Sequence, residues 1–227
     1  MAAILIVVTN HGALGDTGKP TGWYLPEVAH PYHVFKKAGC QVTFLSPGGG
    51  KAPMDPGSLD QFKDDPVCKE FLADKAVMTA LDNTRSPSQV KASDYNAILY
   101  AGGHGPMWDL PDDQAVASIG SAIYAAGGVV ASVCHGVVGF IPVKKPDGSP
   151  VVQGEKITCF TDSEERAVQL EKVVPFLLET RLRQQGSHFV AKPDFQCNVQ
   201  VSGRLVSGQN PASATLVGEE MVKLLKK

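Results

Sequence analysis

The stretch Val129-Val130-Ala131-Ser132-Val133-Cys134-His135-Gly136 decides how this chain is read. A run of small and β-branched residues that breaks abruptly into a cysteine, a histidine and a glycine is the pattern of a buried strand ending in a tight turn. Such a turn lifts a nucleophile to the carboxyl edge of an α/β sheet. Alone, Cys134 would read as a core thiol, because cysteine is among the most buried residue types. The residues around it argue for more.

Just upstream, Tyr95 to Tyr100 forms an apolar strand that runs into Ala101-Gly102-Gly103-His104-Gly105-Pro106, a second glycine turn at a strand end. Asp112-Asp113 starts a helix to Ala126, with Val116, Ile119, Ile123 and Tyr124 at helical spacing and Gly127-Gly128 closing it. Further back, Ile4 to Val8 is a first strand, Glu27 to Ala38 a helix capped by Gly39, and Val42 to Ser46 a second strand. The glycine-rich loop His11 to Gly22 is no phosphate loop. Its spacing from Gly12 to Gly18-Lys19 is one residue too long, and Pro20 stands where a magnesium-binding Ser or Thr belongs. Lys51 to Val90 reads as a polar excursion with helical pieces such as Pro66 to Ala80, forming a cap near the site or a subunit contact.

Downstream, Val137 to Ile141 continues as a helix that stops before Pro142, and Ile157 to Phe160 is a short strand ahead of Thr161-Asp162-Ser163-Glu164-Glu165. A helical pattern from Glu164 breaks at Pro175 and resumes through Leu182. Phe189 to Val201 and Arg204 to Ser207 read as a hairpin, and the last helix runs from Pro211 to Leu225. Strands alternating with helices predict an α/β fold, a flavodoxin-like three-layer sandwich whose mostly parallel sheet has helices on both faces. Chemistry then gathers at the carboxyl ends of the strands. With no repeat or linker, residues 1–227 read as a single domain.

Composition narrows the function. Of 227 residues, 43% are hydrophobic and 19% charged, an ordinary globular balance. A net charge of -2 offers no basic field for nucleic acid. The apolar opening Ala2 to Val8 is too short to span a bilayer and lacks a signal peptide's flanks, so no membrane role is expected. The cysteines Cys40, Cys68, Cys134, Cys159 and Cys197 are odd in number and form no CxxC pair, which points to a reducing cytoplasm. Glu27, His30 and His33 recur every three residues without a further ligand set, so no metal is expected. No other cofactor is implied.

Three chain-distant turns can meet at one sheet edge: Asn10 to Glu27, Gly102 to Gly105, and Cys134 to Gly136. The chemistry they can share is thiolate attack on a carbonyl, with backbone N–H groups of Gly103 and His135 as oxyanion donors. A histidine base wants an acid to hold its ring, and Asp162, Glu164 and Glu165 are all suitably placed. Trp108, after the glycine turn, is a candidate pocket wall or a packed aromatic. His104 faces substrate or makes a turn hydrogen bond.

Five ordered blocks resemble one family: Gly22-Trp23-Tyr24-Leu25-Pro26-Glu27-Val28-Ala29-His30-Pro31, Ala101 to Gly105, Gly127 to Gly136, Phe160-Thr161-Asp162-Ser163-Glu164-Glu165, and Gly208-Gln209-Asn210-Pro211-Ala212-Ser213. The chain resembles the ThiJ/PfpI superfamily, with its class I glutamine amidotransferase-like fold, in the heat-shock chaperone and glutathione-independent glyoxalase III branch. The resemblance implies Cys134 as nucleophile, Glu27 beside its sulfur, His135 as base or acid, and Glu165 as the third residue, with Asp162 the alternative. It implies conversion of a small 2-oxoaldehyde, methylglyoxal or glyoxal, to lactate or glycolate in a homodimer. A stress-response chaperone, a redox sensor or a protein deglycase using the same thiol are the rival readings. Val137-Val138 departs from relatives that carry Pro or Ala after the Cys-His-Gly, and the adjacency of Cys134 and His135 argues against glutaminase activity.

Overall fold

The computed structural model describes residues 1–226. Six strands form one sheet in the order β2 (Gln41–Leu45), β1 (Ala3–Val7), β3 (Ala97–Tyr100), β4 (Val129–Val133), β8 (Leu205–Gly208) and β7 (Val199–Ser202). All neighbours are parallel except β7 and β8. The strand order turns back at β1, flanked by β2 and β3, so ligands are expected at the carboxyl edge there.

Alternation along β1 shows how the layers form. Ile4, Ile6 and Val8 face a core shared with α1 (Leu25–Lys37) and α9 (Ala214–Leu225). Leu5 and Val7 face the opposite core, with α6 (Gln114–Ala125), α8 (Leu178–Gln184) and the turn after β4. Both faces of the sheet are therefore covered, as near-continuous apolar strands require. The three-layer α/β fold is the one the sequence predicts.

Several boundaries moved for identifiable reasons. Helix α1 begins at Leu25 rather than Glu27, because Pro26 suits a first turn and the Leu25 N–H donates to Ser58 Oγ at 3.0 Å. It runs on through Pro31. The excursion folds into three short helices, α2 (Pro56–Phe62), α3 (Pro66–Ala73) and α4 (Lys75–Asp82), the first two with Asp at the N-cap and Pro in the first turn. The segment after Cys134 is a tight 3-10 turn, Cys134–Phe140, buried throughout. Between β4 and α8 comes α7 (Asp162–Ala167), whose N-cap Thr161 and Glu164 form a reciprocal capping box.

The hairpin expected from Phe189 is shorter than the sequence suggested. Only Val199–Ser202 pairs with β8, whereas β6 (His188–Phe189) pairs in parallel with β5 (Lys156–Ile157) in a separate two-stranded sheet. Pro193 lies between, where a proline cannot donate to a ladder. The Asn198 amide instead bonds to Thr158 Oγ1, Val190 O and Gln209 Oε1, fastening the connecting loop to the body.

Candidate active site

Cys134 begins its turn at φ +59°, in the left-handed region that residues with a Cβ rarely occupy. The turn that aims the sulfur thus holds backbone strain, which the packing of the following buried residues must sustain. Gly136 lets this turn press against β3, since a Cβ there would lie 2.4 Å from the Tyr100 carbonyl oxygen. Gly102 is needed for a sharper reason: its Cβ would fall 2.1 Å from Glu27 Oε2 and 3.0 Å from the Cys134 Cβ. The carboxyl and the cysteine both crowd onto a face that only glycine leaves open.

The His135 ring joins these groups to α7. Its Nδ1 lies 3.4 Å from Cys134 Sγ, and its Nε2 lies 2.5 Å from Glu165 Oε2. The other oxygen of Glu165 meets His104 Nε2 at 2.9 Å, and the two imidazoles lie with centroids 4.1 Å apart, tilted by 40°. Glu165 therefore holds two histidines. Asp162 is turned elsewhere, its carboxylate accepting from Thr180 Oγ1 on α8. Glu164, the third acid of the run, accepts from the Thr161 and Phe195 amides and from Asn210 Nδ2, each at 2.8 Å.

Burial sets the electrostatics. It raises the Glu27 carboxyl to about 8, against weaker favourable contacts from Cys134 and the Gly102 and Gly103 amides. Neither oxygen finds a well-formed hydrogen bond among the described residues, so at neutral pH the neutral acid is the stable form. Burial also raises the Cys134 thiol, and a charged Glu27 raises it further, while the His135 amide opposes. The two groups titrate as a pair, and a proton on Glu27 removes its penalty on the thiolate. Burial works against the Glu165 carboxylate too, but the adjacent His135 and hydrogen bonds from both histidines outweigh it and hold Glu165 well below the usual range. For His104, burial and the neighbouring His135 push the imidazole down despite Glu165.

Glu27, Cys134, His104 and His135 floor a cavity of about 370 Å³ whose walls come from far along the chain. Tyr24, Gln61 and Phe62 close one side, Phe160, Val168 and Phe195 another, and Asn210 to Ala212 the rest. The excursion thus reaches the site through α2, where Gln61 accepts from the Tyr24 hydroxyl at 2.6 Å. Gly103 and His104 line this cavity; Trp108 does not. The expectation of a tryptophan wall is corrected: Trp108 lies in α5 (Pro106–Asp109) and stacks on His11 at 5.1 Å, bracing the loop after β1. Tyr24, Phe62, Phe160, Phe195 and Asn210 were not singled out from sequence. The Gly208 to Ser213 block was the one signal that pointed near Asn210.

Glu27, His30 and His33 do not converge. His30 bonds Thr215 on α9 and Asp65 ahead of α3, and His33 lies 3.6 Å from Glu70. Two groups of the described residues bring ligand-type atoms within 4.8 Å of one another: His30, Asp65 and Cys68, and His104, His135 and Glu165. The first is already knitted by hydrogen bonds that tie α1, α3 and α9 together. The second is the site just described.

The family profile described as DJ-1/PfpI family matches residues 22–224, a span that takes in every residue lining the cavity. The chain belongs to the DJ-1/PfpI family. Within it, the chain is similar to a glutathione-independent glyoxalase, hsp3102, of Schizosaccharomyces pombe, 32% identical with 98% of this chain and 97% of that protein covered. Among solved structures, the Rapid Encystment Protein 24 kDa of Francisella tularensis is 35% identical with a TM-score of 0.95, covering 99% of both chains. The glyoxalase III of Candida albicans is 26% identical with a TM-score of 0.89, covering 98% of this chain and 97% of that one. No helix among the described residues of this DJ-1/PfpI protein is long and apolar enough to cross a membrane.

Proposed function

We propose that the protein is a glutathione-independent glyoxalase that converts methylglyoxal or glyoxal and water to lactate or glycolate. The observation that carries this reading is the set Glu27, Cys134 and His135 on the floor of one cavity, with Glu165 joined to His135 behind it. Similarity to two glyoxalases over nearly the whole chain supports it.

Each group has a task in the reaction. His135 Nδ1 accepts the thiol proton as the Cys134 sulfur adds to the aldehyde carbon, forming the C–S bond of a hemithioacetal. Glu165 fixes the His135 ring through Nε2, so that Nδ1 is the nitrogen free to act. Glu27, neutral at pH 7, is a proton donor beside the sulfur and the new oxygen. The amides of Gly103 and His135 supply further donors at the turn. One proton then moves from the former aldehyde carbon to its neighbour, giving a thioester of the hydroxy acid. Water adds to that carbonyl, the sulfur leaves, and the thiol is regenerated.

The chain makes its own thiol the acceptor that glutathione would otherwise supply, and all five cysteines are free, in keeping with a reducing cytoplasm. Assembly as a homodimer belongs to the same proposal, with sedimentation at micromolar protein as its check. The functional test is hydroxy-acid formation from methylglyoxal and glyoxal by the wild type and Cys134→Ser. Turnover by the wild type alone is expected. Absence of lactate at every aldehyde concentration would sink the proposal, as would turnover retained by Cys134→Ser.

A further inference from the structure

We propose that His104 is a catalytic base, the group that carries the proton from the aldehyde carbon to its neighbour; this rests on the glyoxalase reading above. The argument begins with the shared carboxylate. Glu165 receives both histidines through Nε2, one on each oxygen. An imidazole that donates Nε2–H to a carboxylate carries its lone pair on Nδ1. One acid therefore sets two rings in the same tautomer and presents two bare nitrogens to the site.

Those nitrogens have different surroundings. His135 Nδ1 faces the Cys134 sulfur, and its side chain is 1% exposed. His104 lines the cavity with its side chain 18% exposed, and its Nδ1 has no hydrogen-bond partner among the described residues. That nitrogen is not among the buried unpaired atoms, so it keeps accessible surface on a ring that lines the cavity. Of the two rings, His104 is the more open to a substrate already bonded to Cys134.

Elimination leads to the same residue. Once the hemithioacetal exists, His135 has taken the thiol proton and can give one but not accept another. Glu27 has given its proton to the new oxygen and, fully enclosed, takes back only the proton of that same hydroxyl. Glu165 is spent on the two imidazoles. Tyr24 lines the cavity, but its hydroxyl donates to Gln61 Oε1, and burial raises it further from ionising. His104 remains as the neutral base on the cavity wall.

The step balances without a further reagent. His104 Nδ1 takes the proton from the sulfur-bearing carbon; the electron pair of that C–H bond forms the enediolate C=C bond, and the neighbouring carbonyl oxygen takes the charge. Protonated His135 neutralises that oxygen. His104 then returns its proton to the neighbouring carbon as the sulfur-bearing carbon becomes the thioester carbonyl, so oxidation of one carbon matches reduction of the other. The first hydroxyl gives up its proton to the Glu27 carboxylate, which restores the neutral acid. The shared Glu165 holds the two rings 4.1 Å apart through both transfers.

The test compares wild type with His104→Gln, whose amide still donates to Glu165 but offers no base, and with His104→Phe. Expected are a kcat loss of about 10²–10⁴-fold for both, KM within about threefold, and a deuterium effect on kcat with methylglyoxal labelled at the aldehyde carbon. The pH profile of Cys134 alkylation by iodoacetamide should stay at its wild-type position in His104→Gln and move in His135→Ala. A His104→Gln enzyme with kcat within threefold of wild type overturns the proposal. So does an alkylation profile displaced as in His135→Ala, which would make His104 a positioning residue. Circular dichroism of the glutamine variant guards against misfolding. A wild type that makes no lactate refutes the glyoxalase reading itself, which separates the two failures.

Discussion

Replacing Glu27 by glutamine keeps the side chain's shape and removes its ability to ionise. In the folded protein burial raises that carboxyl from 4.5 to about 8, and its residue is fully enclosed. The unfolded chain has no such burial, so between about pH 4.5 and 8 it gives up a proton that the native state retains. The sign follows directly. The unfolded state binds fewer protons, so stability is greatest below pH 4.5 and falls as pH rises through the window. At about 1.4 kcal/mol per pH unit the loss reaches about 5 kcal/mol by pH 8. Because Cys134 titrates with Glu27, the clean measurement compares Cys134→Ser with Cys134→Ser/Glu27→Gln, by urea denaturation at half-unit steps from pH 5 to 8.5. Titrations elsewhere cancel in the difference, so the glutamine chain should gain on its parent steadily with rising pH. Parallel stability curves for the two would refute the assignment of a neutral Glu27.

Three further outcomes follow from named contacts. Gly102→Ala forces a methyl to 2.1 Å from Glu27 Oε2 and 2.7 Å from the Val133 carbonyl; a loss of about 1–3 kcal/mol is expected, read as a fall in Tm together with a changed rate of Cys134 alkylation. Glu164→Ala strips the acceptor from the Thr161 and Phe195 amides and from Asn210, which should cost about 3 kcal/mol in denaturant and raise KM, because Phe195 and Asn210 line the cavity. Glu165→Gln can accept from one histidine only, so one ring loses its tautomer. A kcat loss of about 10²–10⁴-fold is expected. Since the Glu165 carboxyl is held low in the fold, its stabilisation is present above about pH 4.5 and fades as pH falls, and acid denaturation profiles of the glutamine variant should be flatter on that limb.

How far the sequence reached depended on whether a residue's neighbours along the chain were also its neighbours in space. The strands β1, β3 and β4 were legible because burial on both faces leaves an uninterrupted apolar run. The turns at Gly102 and Cys134 were legible because each follows such a run. Cavity walls carry no such local signature: Phe62 arrives on an excursion helix, Phe195 on the loop that replaces half of the expected hairpin, Asn210 from beyond β8. Trp108 illustrates the converse error, since closeness in sequence to the Gly103 turn suggested a wall while its ring lies against His11. The choice among Asp162, Glu164 and Glu165 was open for a similar reason. All three fall within the first turn of α7, and only the direction of each side chain separates a helix tie, a loop anchor and the partner of two histidines.

The division between sheet edge and cavity wall bears on how this protein can be altered. The reacting groups sit on ends of strands and on helices whose spacing the parallel ladder fixes, at β3 through Tyr100 opposite Ser132 and at β1 through Val7 opposite Tyr100. Two of the walls belong to connections, the stretch around Gln61 and the loop carrying Phe195, which the ladder does not constrain. Grafting either segment from a homologue is therefore expected to alter the cavity wall while leaving the reacting groups in place, so the molecule divides into a fixed engine and replaceable mouthparts.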